Sequence, residues 1–241
     1  MVFSTISSII SMIFVLSVFN GFEQLVTNLH KEHIPNLKIE SAKGVYFTTD
    51  SIVDLNSNET VIDKLKKYDT IIFSEVLEQE IILEHQKSVN DSVETLKCFS
   101  KIKGVDTSIY SYSFFSKSII EGEGMLYKTY EPMVLLGHEL QYQLQISSDP
   151  NYSNDIEVYG LSRKKKLSIQ SDNLFNHYNI SVSGIFTMNP ELDKNTIFAP
   201  YDFVNSLFGY DNEATSIEVN SSNIKKLKEL LVNNYSDEFK I

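Results

Sequence analysis

The sequence predicts an α+β protein: an N-terminal membrane helix running into a stalk, followed by a mixed α/β domain in water. Three observations predict it. Met1 to Asn20 carries no formal charge, and Glu23 is the first charged residue. The remainder of the 241-residue chain is polar and acidic, with no second apolar run of that length. Beyond the first thirty or so residues, strand-like and helix-like segments intermix without a regular βαβ repeat.

The opening segment comes first. At about 1.5 Å per residue, twenty helical residues reach roughly 30 Å, the thickness of a bilayer's hydrocarbon core. Ile9, Ile10, Met12, Ile13, Phe14, Val15, Leu16, Val18 and Phe19 make it apolar nearly all round, as a spanning helix requires. The pattern then narrows to a stripe, Phe22, Leu25, Val26 and Leu29, the mark of a stalk packed on protein. The expected division is a span over 1–22 and a stalk over 23–34, with Asn20, Gly21, Phe22 and Glu23 at their junction. Two other readings compete. A secretory signal peptide wants a basic start and a small-residue cleavage site, yet no Lys or Arg precedes Lys31 and Val18-Phe19-Asn20 is a poor site. A buried core helix would suit the serines and threonine that dilute the segment: Ser4, Thr5, Ser7, Ser8, Ser11 and Ser17.

After Pro35 breaks the helix, Leu37-Lys38-Ile39-Glu40 alternates like a strand. Asn58-Glu59-Thr60 caps an amphipathic helix with Val61, Ile62 and Leu65 inward and Lys64, Lys66 and Lys67 outward. Thr70 to His85 is rich in β-branched residues and predicts one long strand, with Val93 to Ser100 as its partner. Cys98 alternates with apolar neighbours there and is expected to be buried. Lys101 to Pro132 is the least legible stretch. Met133 to Leu136 predicts a buried strand, turning at Gly137 into a short helix with Leu140 and Leu144. Ile156 to Tyr159 is another strand, and Tyr178, Ile180, Val182 and Phe186 alternate with polar residues in the clearest strand pattern of the chain. Thr196 to Phe198 is a short strand, and Pro200 opens a helix with Phe203, Val204 and Leu207 inward, stopped at Gly209. Ser216 to Val219 is a strand, and Ser221-Ser222-Asn223 caps a last helix through Ile224, Leu227, Leu230 and Leu231.

Composition narrows the function. Hydrophobic residues make up 42%, enough for real cores. A net charge of −11 argues against nucleic acid, whose backbone demands clustered cations. One cysteine excludes an internal disulfide and any Cys-rich metal site. Six Asn-x-Ser/Thr sequons, at Asn58, Asn90, Asn151, Asn179, Asn220 and Asn234, fit chance in a chain this rich in Asn and Ser.

Catalytic patterns do not emerge. The chain has no GxxxxGK[ST] phosphate loop, so it should not itself bind and hydrolyse ATP, and no Gly-x-Ser-x-Gly elbow. His30 and His33 flank Glu32 at a spacing two metal ligands could use, but polar residues are expected at a stalk–water boundary. His85, His138 and His177 stand alone. The expectation is a non-enzyme with no cofactor or metal of its own. The one basic cluster, Arg163-Lys164-Lys165-Lys166, lies between the strands Ile156–Tyr159 and Tyr178–Phe186; it is either a solvated hairpin tip or a contact for an acidic partner or anionic lipid.

Several segments resemble a known family. Val15-Leu16-Ser17-Val18-Phe19-Asn20-Gly21-Phe22-Glu23 resembles the end of the first membrane helix in lipoprotein-release permeases of the LolC/LolE type, with their "LSVMNGFE"-like run. Val134-Leu135-Leu136-Gly137-His138-Glu139-Leu140, with Leu144, resembles the family's "iGxxlAxxL" segment. Ser181-Val182-Ser183-Gly184-Ile185-Phe186 resembles its "xVxGIF" strand, and Leu192-Asp193 with Phe198-Ala199-Pro200 its "LDxxxxxxPl" stretch. The resemblance implies a non-catalytic permease subunit of an ABC transporter in the bacterial inner membrane, most of this chain lying in the periplasm. It implies a two-lobed, MacB-like periplasmic core over 35–241, one lobe from about 35–100 plus 187–241 and the other from about 101–186. The implied partners are a cytoplasmic ATPase subunit, which would bind the ATP, a second permease subunit as homo- or heterodimer, lipoprotein cargo and a periplasmic chaperone. In LolC-type members a hairpin matching Leu161 to His177 hooks that chaperone. The family has four membrane helices, so this chain is expected to be a fragment or truncated copy. Other expectations are a MacB-like efflux permease or FtsX-like regulator of cell-wall hydrolases in the same superfamily, and, from another class, a single-span extracytoplasmic binding or sensor protein.

Overall fold

The structure is a computed structural model that describes residues 11–23, 35–42, 44, 46–48, 60–67, 71–89, 92–147, 154–163, 174–221, 223–235 and 239–240. The chain divides into two units, Met1–Ile34 and Pro35–Ile241.

In the first unit residues 11–23 form a helix, α1, with every residue exposed. Phe14 and Phe19 are 70% and 67% accessible. Among the described residues no helix is long and apolar enough to cross a membrane. The described part of α1 rises only about 20 Å. The remainder of the expected span and the stalk over 24–34, with His30, Glu32 and His33, lie outside the described residues.

The second unit is built on one long strand. It begins with β1 (Leu37–Ser41), β2 (Phe47–Thr48) and helix α2 (Val61–Lys66), and then β3 runs from Ile71 to Val89 with β4 (Ser92–Val105) antiparallel beside it. A 3₁₀ turn (Thr107–Ser111), α3 (Ser113–Ser118), β5 (Ile119–Gly122) and β6 (Tyr127–Lys128) lead into β7 (Glu131–Gly137) and α4 (His138–Leu144). Next come β8 (Asp155–Leu161), β9 (Phe175–Phe186), α5 (Pro190–Asn195) and β10 (Thr196–Pro200). The chain closes with α6 (Tyr201–Phe208), β11 (Glu213–Ala214), β12 (Ser216–Ser221), α7 (Ile224–Tyr235) and β13 (Phe239–Lys240).

Each edge of β3 takes different partners along its length. Ile71 to Val76 pair with β12, Val76 to Val89 with β4, and Ile81 to Glu84 with β8. β4 then takes β10 in parallel, β10 takes β7, β7 takes β9 in parallel, and β9 takes β8. The ladder therefore returns to β3, a closed ring β3–β4–β10–β7–β9–β8. Leu77, Ile81 and Leu83 of β3, Ile102 of β4, Val134 and Leu136 of β7, Ile156 and Val158 of β8 and Ile197 of β10 share one buried cluster. Leu140 and Leu144 of α4 and Val204, Leu207 and Phe208 of α6 complete it. Period-two alternation on the strands and three-to-four spacing on the helices deliver these side chains to one core. α6 packs against β3, β4, β8, β9 and β10.

Two further cores flank the ring. Leu37, Ile39, Ile217 and Val219 pack with Val61, Ile62 and Leu65 of α2 and Leu227 and Leu231 of α7. This core joins both ends of the second unit, because β1 lies antiparallel to β12 and pairs Leu37 with Val219. The other core gathers Ile109, Tyr112, Phe115 and Leu126 from the stretch that was least legible in sequence, against Val105, Leu135, Phe186 and Phe198. Phe198 meets the edges of Phe115 and Phe186 at centroid separations of 5.3 and 4.9 Å, the arrangement ring quadrupoles favour.

Local expectations meet the structure at several points. Thr60 caps α2: its Oγ accepts from the Asp63 N–H at 3.0 Å and donates to the Asp63 carboxylate at 2.8 Å. Gly209 ends α6 with φ +75. β3 and β4 run past the expected His85 and Ser100, to Val89 and Val105. β4 continues through Gly104, a weak strand former, because Val204 of α6 lies against that glycine, 2.9 Å from where a Cβ would stand. Cys98 is half-buried, a partial departure from the expected buried thiol. Its neighbour Phe99 points the other way and is 84% exposed.

Candidate functional site

Three of the four segments singled out by resemblance, those around Gly137, Ser181–Phe186 and Leu192–Pro200, meet at one corner of the second unit. Gly137, at the end of β7, stands in parallel register with Phe186 of β9, and Leu135 and Leu136 pair with Phe198 and Ile197 of β10. A Cβ on Gly137 would overlap the carbonyl oxygen of Asp193 in α5. The Asp193 carboxylate is buried, and it accepts hydrogen bonds from Thr187 Oγ1 and the Met188 N–H, both at 2.7 Å, which pins the turn after β9. Asn189 caps α5 by accepting from the Leu192 N–H at 2.9 Å, with Pro190 in its first turn. At Gly184 a Cβ would stand 2.7 Å from the Glu121 carbonyl oxygen. These residues hold backbones closer than any larger side chain allows. Their work is architectural, and the corner has no reactive arrangement. A Gly137→Ala chain should lose about 3 kcal/mol in urea unfolding, within the range for a forced backbone clash. Gly44→Ala, where the nearest atom is 3.8 Å from the added Cβ, should lose less than about 1 kcal/mol.

The site with room for a partner lies on the outward face of β3, β4 and β8. An open groove of about 790 Å³ runs there. Its floor is Glu78, Glu80 and Ile82 of β3 with Phe99 and Lys101 of β4, and its walls are Tyr159 and Leu161 of β8, Phe175 of β9, Tyr46, Phe208 and Tyr210. Strand register explains the row: Ile82 is directly opposite Phe99 on one side and Tyr159 on the other, and Tyr159 is opposite His177. Tyr159 and His177 stack at 5.5 Å.

Beside the groove the next row is charged. Glu84 lies opposite Glu157, and the Lys97 ammonium reaches Glu84 at 2.7 Å. That ammonium holds the Glu84 carboxyl below its ordinary value, against the opposing effect of burial. The Tyr159 hydroxyl donates to Glu157 and its pKa is pushed up to about 12, chiefly by that bond. A carboxylate whose folded pKa is depressed contributes stability above its unfolded pKa, near 4.5, and that contribution fades as pH falls through the folded value. Lys97→Met should therefore cost about 1 kcal/mol at pH 7, a figure kept small because Lys97 is mostly exposed. The difference from the parent chain should narrow as pH falls below 4.5 and through the lowered Glu84 value, read by urea midpoints at successively lower pH.

At the groove's end the β8–β9 hairpin opens into its loop. The Ser162 N–H donates to the Leu174 carbonyl at 3.0 Å, closing the root. Arg163 is fixed there: its N–H donates to the Phe208 carbonyl, its guanidinium pairs with Glu213, and it lies 5.5 and 5.3 Å from the ring centres of Tyr46 and Tyr210. Of the basic cluster read from sequence, Arg163 is thus a brace for the loop's root, while Lys164, Lys165 and Lys166 lie outside the described residues. Asn20, Gly21, Phe22 and Glu23 are exposed on α1. Among the described residues no group of three or more His, Cys, Asp or Glu side chains could hold a metal ion. Burial pushes the Cys98 thiol up to about 11, leaving little thiolate for chemistry. The groove was not legible in sequence. Its residues come from segments on β3, β4, β8 and β9 that only strand register aligns, and exposed aromatics at alternate positions were the one local signal.

No family model and no curated protein matches the chain. Solved structures similar to it include two extracytoplasmic transporter domains. One is the extracellular domain of the noncanonic ABC-type transporter YknZ from Gram-positive bacteria, at 12% identity over 82% of this chain and 95% of that one, TM-score 0.47. The other is the periplasmic region of MacB from Actinobacillus actinomycetemcomitans, at 14% identity over 81% and 82%, TM-score 0.48.

Proposed function

We propose that this chain is the membrane-anchored, extracytoplasmic portion of an ABC-transporter permease subunit of the lipoprotein-release type. In this reading Met1 to Phe22 spans the bacterial inner membrane, 23–34 forms the stalk, and 35–241 is a two-lobed periplasmic domain. The observation that carries it is the corner around Gly137 and Asp193, where three of the four segments matched to the family pack against each other. Segments that resemble a family by chance have no reason to converge. The exposed apolar side chains of α1 support anchoring, since apolar surface of that extent wants a non-aqueous partner.

The subunit's role is mechanical. ATP is bound and hydrolysed by a separate cytoplasmic subunit, and a second permease subunit completes the pair. Movement of the span passes through the stalk to the periplasmic domain, which lifts lipoprotein cargo toward a periplasmic chaperone. The segment after Arg163, which carries Lys164, Lys165 and Lys166 in its sequence, is the chaperone contact, and Arg163 at its root is held by Glu213, Tyr46 and Tyr210.

Cell fractionation tests the anchoring. The intact chain should sediment with membranes through a high-salt wash and enter solution only with detergent; recovery of uncleaved chain in the aqueous fraction would overturn the reading. The contact is tested by capture on an immobilised periplasmic lipoprotein chaperone. A Lys164→Glu, Lys165→Glu and Lys166→Glu triple variant should bind at least about tenfold more weakly, the scale of losing a few charged contacts. Equal capture of parent and variant removes the loop from that role.

A further inference from the structure

The outer edge of β4 stands open. β4 pairs with β3 along its whole length, but on its other side β10 covers only Lys101 to Val105. Among the described residues, no strand pairs with that side between Val93 and Phe99. Long strand edges are templates for further pairing, and proteins usually blunt them with proline, bulges or outward-reaching charges. Between Val93 and Phe99 there is no proline or glycine and the pairing with β3 runs without a bulge. Two charges stand there: Lys97 is drawn back onto Glu84, and Glu94 is exposed. Val93 and Phe99 are 65% and 84% exposed.

We infer that this edge pairs with the same edge of a second copy of the chain, antiparallel about a two-fold axis through Leu96. The register follows from the residues. Placing Leu96 opposite itself sets Val93 opposite Phe99 of the partner, twice, so both exposed apolar side chains gain a cross-strand neighbour. Glu94 then faces Cys98 and Thr95 faces Lys97, so no like charges stand opposite one another. Because positions 93, 95, 97 and 99 all lie on the groove face, this register also continues each face of the sheet into the partner. A two-fold pairing consumes the edge on both copies and stops at two chains, whereas an unpaired edge would keep recruiting. The inference stands on the strand edge and does not depend on the transporter reading.

Register-specific crosslinking of the full chain in detergent tests it, with Cys98→Ser as background. Val93→Cys chains and Phe99→Cys chains are prepared separately, then mixed and oxidised. In the paired register the thiol introduced at position 93 of one copy faces the thiol introduced at position 99 of the other. Two Val93→Cys copies instead hold their thiols roughly 20 Å apart, at about 3.4 Å per residue. The mixture should therefore yield at least about tenfold more disulfide-linked dimer than either variant alone. Adding Val93→Lys and Phe99→Lys to a parent chain should shift it from two-chain to one-chain mass in light scattering while the single chain still unfolds cooperatively in urea, because both side chains are exposed in it; any fall in midpoint should depend on protein concentration, as loss of association requires. Crosslinking that is equal in the mixture and in single-variant samples would overturn the proposal, since association through α1 or random collision predicts that result. A chain that stays monomeric, or a dimer that survives the lysine pair, would overturn it as well.

Discussion

A single 19-residue strand sets the register of the second unit. β3 is paired along its whole length, on one edge with β12 and then β8 and on the other with β4, so its alternation determines which face of all three turns inward. Sliding it by one residue would turn Glu78 and Glu80 into the core in place of Leu77 and Ile81. That penalty, repeated along the ring, makes one register the only affordable one. The ring closes because β8 returns to the edge of β3 that β12 has vacated by Val76.

The same strand ties the cores together. Lys103 of β4 reaches across β3 to Glu218 of β12 at 2.5 Å, both side chains largely withdrawn from solvent. The Lys103 ammonium also stands 5.8 Å from the Phe198 ring centre, and the Tyr112 hydroxyl donates to the Glu218 carbonyl at 3.2 Å. A buried ion pair of this kind adds little net stability over apolar packing, but it leaves a desolvated charge if either element moves alone. The small core made from both ends of the unit and the aromatic core around Phe198 are therefore coupled through groups that tolerate no independent shift.

Against that rigid frame, the outward face has freedom to vary. Its groove and the root of the β8–β9 hairpin use side chains that the cores do not need: Phe99, Leu161 and Phe175 are all exposed. Arg163 draws its geometry from three surrounding groups and fixes where the loop leaves the barrel. A contact surface placed on such a base keeps its geometry when a partner binds, because its root is held from three sides.

The elements with strong local signals were readable from the amino acids alone. Alternation marked β1 and β9, β-branched enrichment marked β3, Thr60 marked the start of α2, and Gly209 marked the end of α6, because propensity and capping act within a few residues. Short elements such as α3, α5 and β6 escaped, having too few residues to show a period. So did the place of Gly104 inside a strand, which depends on Val204 a hundred positions away. What only the tertiary structure decided was adjacency: that Gly137 would meet Asp193, that Arg163 would be held by Glu213 and two tyrosines and not left free in a basic cluster, and that Ile82, Phe99 and Tyr159 would line one groove. Periodicity says which side of a strand a residue faces, but which strand lies beside it is settled by long-range pairing and close packing, and no window along the chain contains that information.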